Sequence, residues 1–172
     1  MSSMVGVLIS IALIAPQMAQ GPTAGELEAM KKLDFLVGNW EGEGWMMMPG
    51  GREVFKGTET VQKKLQGKAI LIEGKFVDPK DGRVVHETLA VVTYNEPAKK
   101  YVFQTYLFNR PGGVFDLNVK PNGFSWAIAM ENVPKADYDM NVVNGEWVEK
   151  GVVTLPNGQK HEFLEMRLKK KA

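Results

Sequence analysis

The chain lacks cysteine altogether. That absence removes disulfide frameworks, lipid attachment through an N-terminal cysteine, thiolate metal sites and cysteine nucleophiles. Histidine is nearly absent too, with only His86 and His161, far apart and each alone. A zinc or copper site normally needs three or four ligands at recognisable spacing, so no metal site is expected. Charge of one sign is missing as well: 21 Lys and Arg face 20 Asp and Glu, a net charge of +1. Nucleic-acid binders usually carry a clear basic excess, so no nucleic-acid partner is expected. Lys169-Lys170-Lys171 reads as a solvated tail.

Motifs for chemistry are also lacking. No Gly-x-Ser-x-Gly occurs, and Ser125 lies between Phe124 and Trp126 in a strand-like run, so a serine triad has no foundation. No Gly-rich phosphate loop follows a strand and opens a helix. Met46-Met47-Met48 invites a copper(I) reading, but successive strand residues alternate faces, and methionines serve well as cavity filler. Glu41 with Glu43, opposite the face of Trp40, reads as solvated. Glu162 and Glu165, three residues apart, are expected on opposite faces. Asp78-Pro79-Lys80-Asp81-Gly82 lacks the spacing and closing Glu of a calcium loop and reads as a turn.

What the sequence has is β-pattern. From Gly38 onward, β-branched and aromatic runs are punctuated by turn chemistry: Pro49-Gly50-Gly51, Gln66-Gly67, the 78–82 loop, Asn95-Glu96-Pro97, Arg110-Pro111-Gly112-Gly113, Pro121-Asn122-Gly123, Val133-Pro134, Asn144-Gly145 and Pro156-Asn157-Gly158. About ten strands with short connections imply an all-β, antiparallel up-and-down barrel. Alternation sets Trp40, Gly42, Gly44, Met46 and Met48 on one face, as it does Phe124, Trp126, Ile128 and Met130, and Tyr138, Met140 and Val142. Residues 101–108 are apolar on both faces, which leaves their sidedness open.

Ahead of the strands, Thr23 and Glu26 fit a capping box, and Leu27, Met30 and Leu33 recur at helical spacing. A short helix across one barrel end follows. Met4 to Ala15 is an apolar run too short for a membrane span and suited to a signal-peptide core, although no Lys or Arg precedes it. The expected organisation is a signal peptide over 1–19, a linker over 20–25 and one barrel domain over 26–172. Localisation is then periplasmic or extracellular, without a transmembrane span in the mature chain.

The stretch Leu33-Asp34-Phe35-Leu36-Val37-Gly38-Asn39-Trp40-Glu41-Gly42-Glu43-Gly44 resembles the opening of a family of exported bacterial lipocalin-like proteins of unknown function. Leu65–Gly74, Thr93–Tyr101 and Phe163–Lys169 are similar to later elements of that family, so the resemblance spans residues 27–170. It implies a calycin-type barrel whose floor is Gly38, Trp40 and Arg167, the arginine packing on the Trp40 ring. Gly38, Trp40, Gly42 and Gly44 are also similar to the opening of nitrobindin, which binds haem through a late-strand histidine. His161 stands too early in the last strand for that role, and Leu164, Glu165 and Met166 occupy the later positions, so no haem is expected.

The functional expectation is a non-enzymatic binder of a small apolar or amphipathic molecule. Met46, Tyr106, Trp126, Met130 and Tyr138 are the candidate ligand-binding residues, drawn from inward Met and from aromatics that also include Trp45, Tyr94 and Trp147. Two alternatives stand beside it. One is a cell-envelope interaction protein with a filled barrel. The other is an enzyme acting on a hydrophobic substrate inside the barrel, which would bury a titratable residue such as Glu73, His86 or Glu165.

Overall fold

A computed structural model describes residues 21–131 and 133–171. The proposed signal peptide lies outside the described residues. Helix α1, Ala24–Lys31, is started by the capping box: the Glu26 amide donates to Thr23 Oγ1 while the Glu26 carboxylate accepts from the Thr23 amide. The helix therefore begins inside the stretch expected to be linker. Met30 and Leu33 are buried, whereas Leu27 stays exposed.

Ten strands follow: β1 Gly38–Met48, β2 Gly51–Lys64, β3 Ala69–Val77, β4 Val84–Asn95, β5 Lys100–Leu107, β6 Val114–Lys120, β7 Gly123–Ile128, β8 Lys135–Val143, β9 Glu146–Thr154 and β10 Lys160–Lys170. Each pairs antiparallel with its sequence neighbours, and β1 pairs with β10 to close the barrel. Closure leaves no unpaired edge to template aggregation. Local sequence sets the tight connections. Asn144 and Gly145 both adopt positive φ, 53° and 77°, as a two-residue hairpin turn requires.

The two ends of the barrel differ. One end carries α1, the 3-10 turns Asp34–Leu36 and Leu65–Gly67, and the short loops 96–99, 121–122 and 144–145. Tyr101 Oη ties α1 to this end by donating to the Ala29 carbonyl at 2.7 Å. The other end is ringed by loops 49–50, 78–83, 108–113, 129–134 and 155–159, and among the described residues it carries no helix. Here the first end is called the floor and the second the mouth. No helix among the described residues is long and apolar enough to cross a membrane.

The floor is packed solid. Trp40, Leu33, Leu36, Val61, Ile70, Val92, Trp147 and Leu168 are each at most 2% exposed. Trp40 Nε1 donates to the Leu36 carbonyl at 2.7 Å, so burying the indole leaves no donor unpaired. Its ring meets Trp147 edge-on at 5.6 Å. The cation over the Trp40 ring is Lys170, at 5.1 Å, not Arg167. Register explains the correction. Lys170 lies directly opposite Trp40 across the β1–β10 ladder, whereas Arg167 lies opposite Glu43 on the outer face and pairs with Glu165 and Glu146.

Candidate functional site

Strand register assigns the inner wall residue by residue. Glu59 lies opposite Trp40 on one side and Gly74 on the other, and Glu149 lies opposite Met140 and Met166. Both carboxylates therefore share the inward phase of apolar neighbours. Phe76 lies opposite His86, Ala90 opposite Thr105 and Trp126 opposite Tyr138, which carries the inner wall round the barrel. On β5 the inward set is Tyr101, Phe103 and Thr105, while Gln104 and Tyr106 face out.

Two carboxyls thus sit inside the barrel just above the indole floor. Glu59 is 6% exposed, and its Oε2 has no hydrogen-bond partner among the described residues. Gly74 makes the space for it: a Cβ there would stand 2.5 Å from a Glu59 carboxylate oxygen. Burial, and then the like charge of Glu149, hold Glu59 well above the ordinary carboxylate range. Glu149 accepts one bond, from Trp147 Nε1 at 3.2 Å. Burial pushes it up to about 7, and the indole N–H pulls the other way. No lysine or arginine among the described residues forms an ion pair with either group.

Towards the mouth the inner wall turns aromatic. Trp126 and Tyr138 stack in parallel, with centroids 4.5 Å apart and planes 5° apart. Phe163 meets Tyr138 edge-on at 5.4 Å, and Phe103 meets Trp126 likewise at 5.2 Å. Trp126, Tyr138, Phe163, Glu149 and His86 all face inward yet are only half-buried. His86 is held down at about 4, by burial first and then by the Arg110 charge, so it is neutral at pH 7. Burial raises the Tyr138 phenol, with the Arg110 charge lowering it and the Glu149 charge raising it.

The residues expected to bind ligand separate. Trp126 and Tyr138 come together on the inner wall. Met46 faces inward and is packed into the core at 9% exposure. Tyr106 is half exposed on the outer wall, bonded to Gln104, and Met130 lies exposed in the 129–134 loop beyond β7; neither reaches the lumen. Trp45 also points outward, beneath the Arg52 guanidinium. Tyr94 and Trp147 belong to the floor region. Glu73 is exposed and Glu165 faces out, which leaves His86 as the inward member of that trio. His161 is exposed at the start of β10.

Glu162 and Glu165 do not fall on opposite faces. Both contact Lys150, because a bulge between Glu162 and Leu164 resets the alternation. Outer-wall depressions hold paired charges such as Arg167–Glu146 and Lys120–Asp139, which leave little unsatisfied for a ligand. Among the described residues, no three His, Asp or Glu side chains converge to hold a metal.

No protein-family model and no curated protein sequence matches the chain. Among solved structures, Rv2717c from M. tuberculosis matches with a TM-score of 0.63 at 11% identity, over 84% of this chain and 98% of that one. That likeness shows the fold alone. The chain shares a distant barrel fold with that protein.

Proposed function

We propose that the protein is an exported, non-catalytic carrier or sensor of a small amphipathic molecule, held in the mouth half of the barrel. One observation carries the reading: inward aromatics near the mouth keep accessible surface while the floor is fully packed. Ligand entering there would bury apolar area against Trp126, Tyr138 and Phe163, at about 25 cal/mol per Å². Kinship with the exported lipocalin-like family, and cleavage of the N-terminal segment, belong to this proposal and rest on the sequence.

The test is native mass spectrometry of protein purified from an exporting host without refolding, with a titration of the neutral fluorophore N-phenyl-1-naphthylamine. A retained small mass, or saturable probe fluorescence lost in Trp126→Ala, is the expected result. A bare chain that takes up no probe would refute a lumen site. N-terminal sequencing of the same sample reads the cleavage.

A further inference from the structure

We infer that the lumen takes an amine, its ammonium group seated between Glu59 and Glu149 and its apolar body lying against Trp126, Tyr138 and Phe163. The inference rests on the lumen-binding reading above and names the chemistry of its ligand.

The carboxyl pair is an unusual thing to bury. Moving a carboxylate out of water is costly unless a cation or several donors compensate, and buried carboxylates are normally paired. Here the two groups compensate each other in no way. They repel, Glu59 Oε2 has no partner, and Glu149 has a single indole donor. Simple packing would be better served by the apolar residues that fill the corresponding positions around them, such as Val61 and Trp147. The arrangement instead leaves acceptors without donors beneath the aromatic part of the inner wall, and a ligand ammonium supplies up to three donors and one positive charge.

The β1 wall beside the two groups is glycine, and the Phe55 ring packs over it at Gly44. The inward β1 positions following Trp40 are Gly42 and Gly44, and β10 contributes Met166 beside Glu149. Above the pair, the cluster of Trp126, Tyr138 and Phe163 offers apolar ring surface to the ligand's hydrocarbon body. A bare divalent ion fits less well, since among the described residues no third carboxylate or histidine joins the two. The charged and titratable groups around the site are Tyr138 beside Glu149, and, towards the mouth, Arg110 and neutral His86. Arg110 is exposed on the mouth loop, where solvent screens it, so the sign of the lumen is set by the two carboxyls.

A charge series on one body tests this: 2-phenylethylamine, 2-phenylethanol and 3-phenylpropanoate, titrated at pH 7 against the intrinsic tryptophan fluorescence of the purified protein. The amine is expected to bind at least about tenfold tighter than the alcohol, and the anion weakest. Glu59→Gln and Glu149→Gln should each bring the amine down to the alcohol's affinity. A second readout needs no variant. Calorimetry in buffers of different ionisation enthalpy should show net proton release when the amine binds, because the ammonium displaces a proton held by the pair.

Equal affinity for amine and alcohol, or an amine preference that survives both glutamine variants, overturns the inference. So does amine binding without proton release. In each of those cases a retained response to the neutral alcohol leaves the lumen-binding reading standing. If the alcohol, the amine and N-phenyl-1-naphthylamine are all refused, the lumen-binding reading falls and takes this inference with it.

Discussion

The floor and mouth halves of the barrel are built from the same strands but solve different problems. At the floor the apolar fittings are complete: Trp40 has its hydrogen bond, Lys170 its π-face, and Leu33 and Leu36, which follow α1, fill the remaining space. Above them the match is incomplete, with an unpaired Glu59 oxygen beside Trp40 and, towards the mouth, a neutral histidine and half-buried rings. Proteins tolerate such incompleteness where it serves binding, since preorganised polar groups without partners are what a ligand supplies. On the reading proposed above, recognition falls to the mouth half, where Phe55, Phe76, Val85 and Leu164 are nonetheless buried in the same core.

The largest effect that separates the halves is a tryptophan truncation. Trp40→Ala should cost about 3–5 kcal/mol in urea melts, as fully buried aromatics do. Trp126→Ala should cost less than about 2 kcal/mol yet abolish the probe response. Comparable losses of stability at both positions would dissolve the distinction.

Next comes pH. Glu149 has a folded value near 7 against 4.5 in the open chain, so its stabilising contribution is full below pH 4.5 and fades as pH rises through 7. The shift corresponds to at most about 3 kcal/mol. His86 runs the other way: its contribution is present above 6.5 and is lost as pH falls through about 4. Between pH 4.5 and 6.5 the two slopes oppose and largely cancel. Glu149→Gln should leave the His86 slope unopposed, so that denaturant midpoints rise from pH 4 to 6.5. His86→Gln should leave the Glu149 slope unopposed, so that midpoints fall from pH 4.5 to 7.

Smaller effects probe the floor's fittings. Tyr101→Phe removes the bond to the Ala29 carbonyl and should cost about 1 kcal/mol, with faster amide exchange in α1. Lys170→Ala should cost about 0.5–1 kcal/mol and alter Trp40 fluorescence. Arg167→Ala, on the outer face, should change stability by less than about 0.5 kcal/mol and leave that fluorescence alone. A reversal between these two would restore the arginine to the floor.

Much of the architecture could be read from the residues. Turn chemistry located the hairpins, alternation placed Trp40, Trp126 and Tyr138 inward, and the Thr23–Glu26 box marked the helix start. The carboxyls were legible in principle. Glu59 alternates in phase with Phe55 and Val61, and Glu149 with Trp147 and Gly151. A charge in phase with an apolar face is a signal that a search for known motifs passes over. Other features depended on context beyond the strand pattern. The bulge at Glu162/Leu164 shifts one face onto another, and only ladder register shows that Lys170, not Arg167, stands opposite Trp40. Tyr106 and Met130 illustrate the remaining difficulty, since β5 is apolar on both faces and β7 ends two residues before Met130.

The most direct test of a sealed floor beneath a receptive mouth is hydroxyl-radical footprinting read by mass spectrometry, with and without bound 2-phenylethylamine. The account predicts oxidation of Trp126, Tyr138 and Phe163 in the free protein, protection of all three by the amine, and little modification of Trp40 or Trp147 in either state. Unreactive Trp126 and Tyr138 in the free protein, or labelling there that the amine leaves unchanged while Trp40 responds, would contradict it.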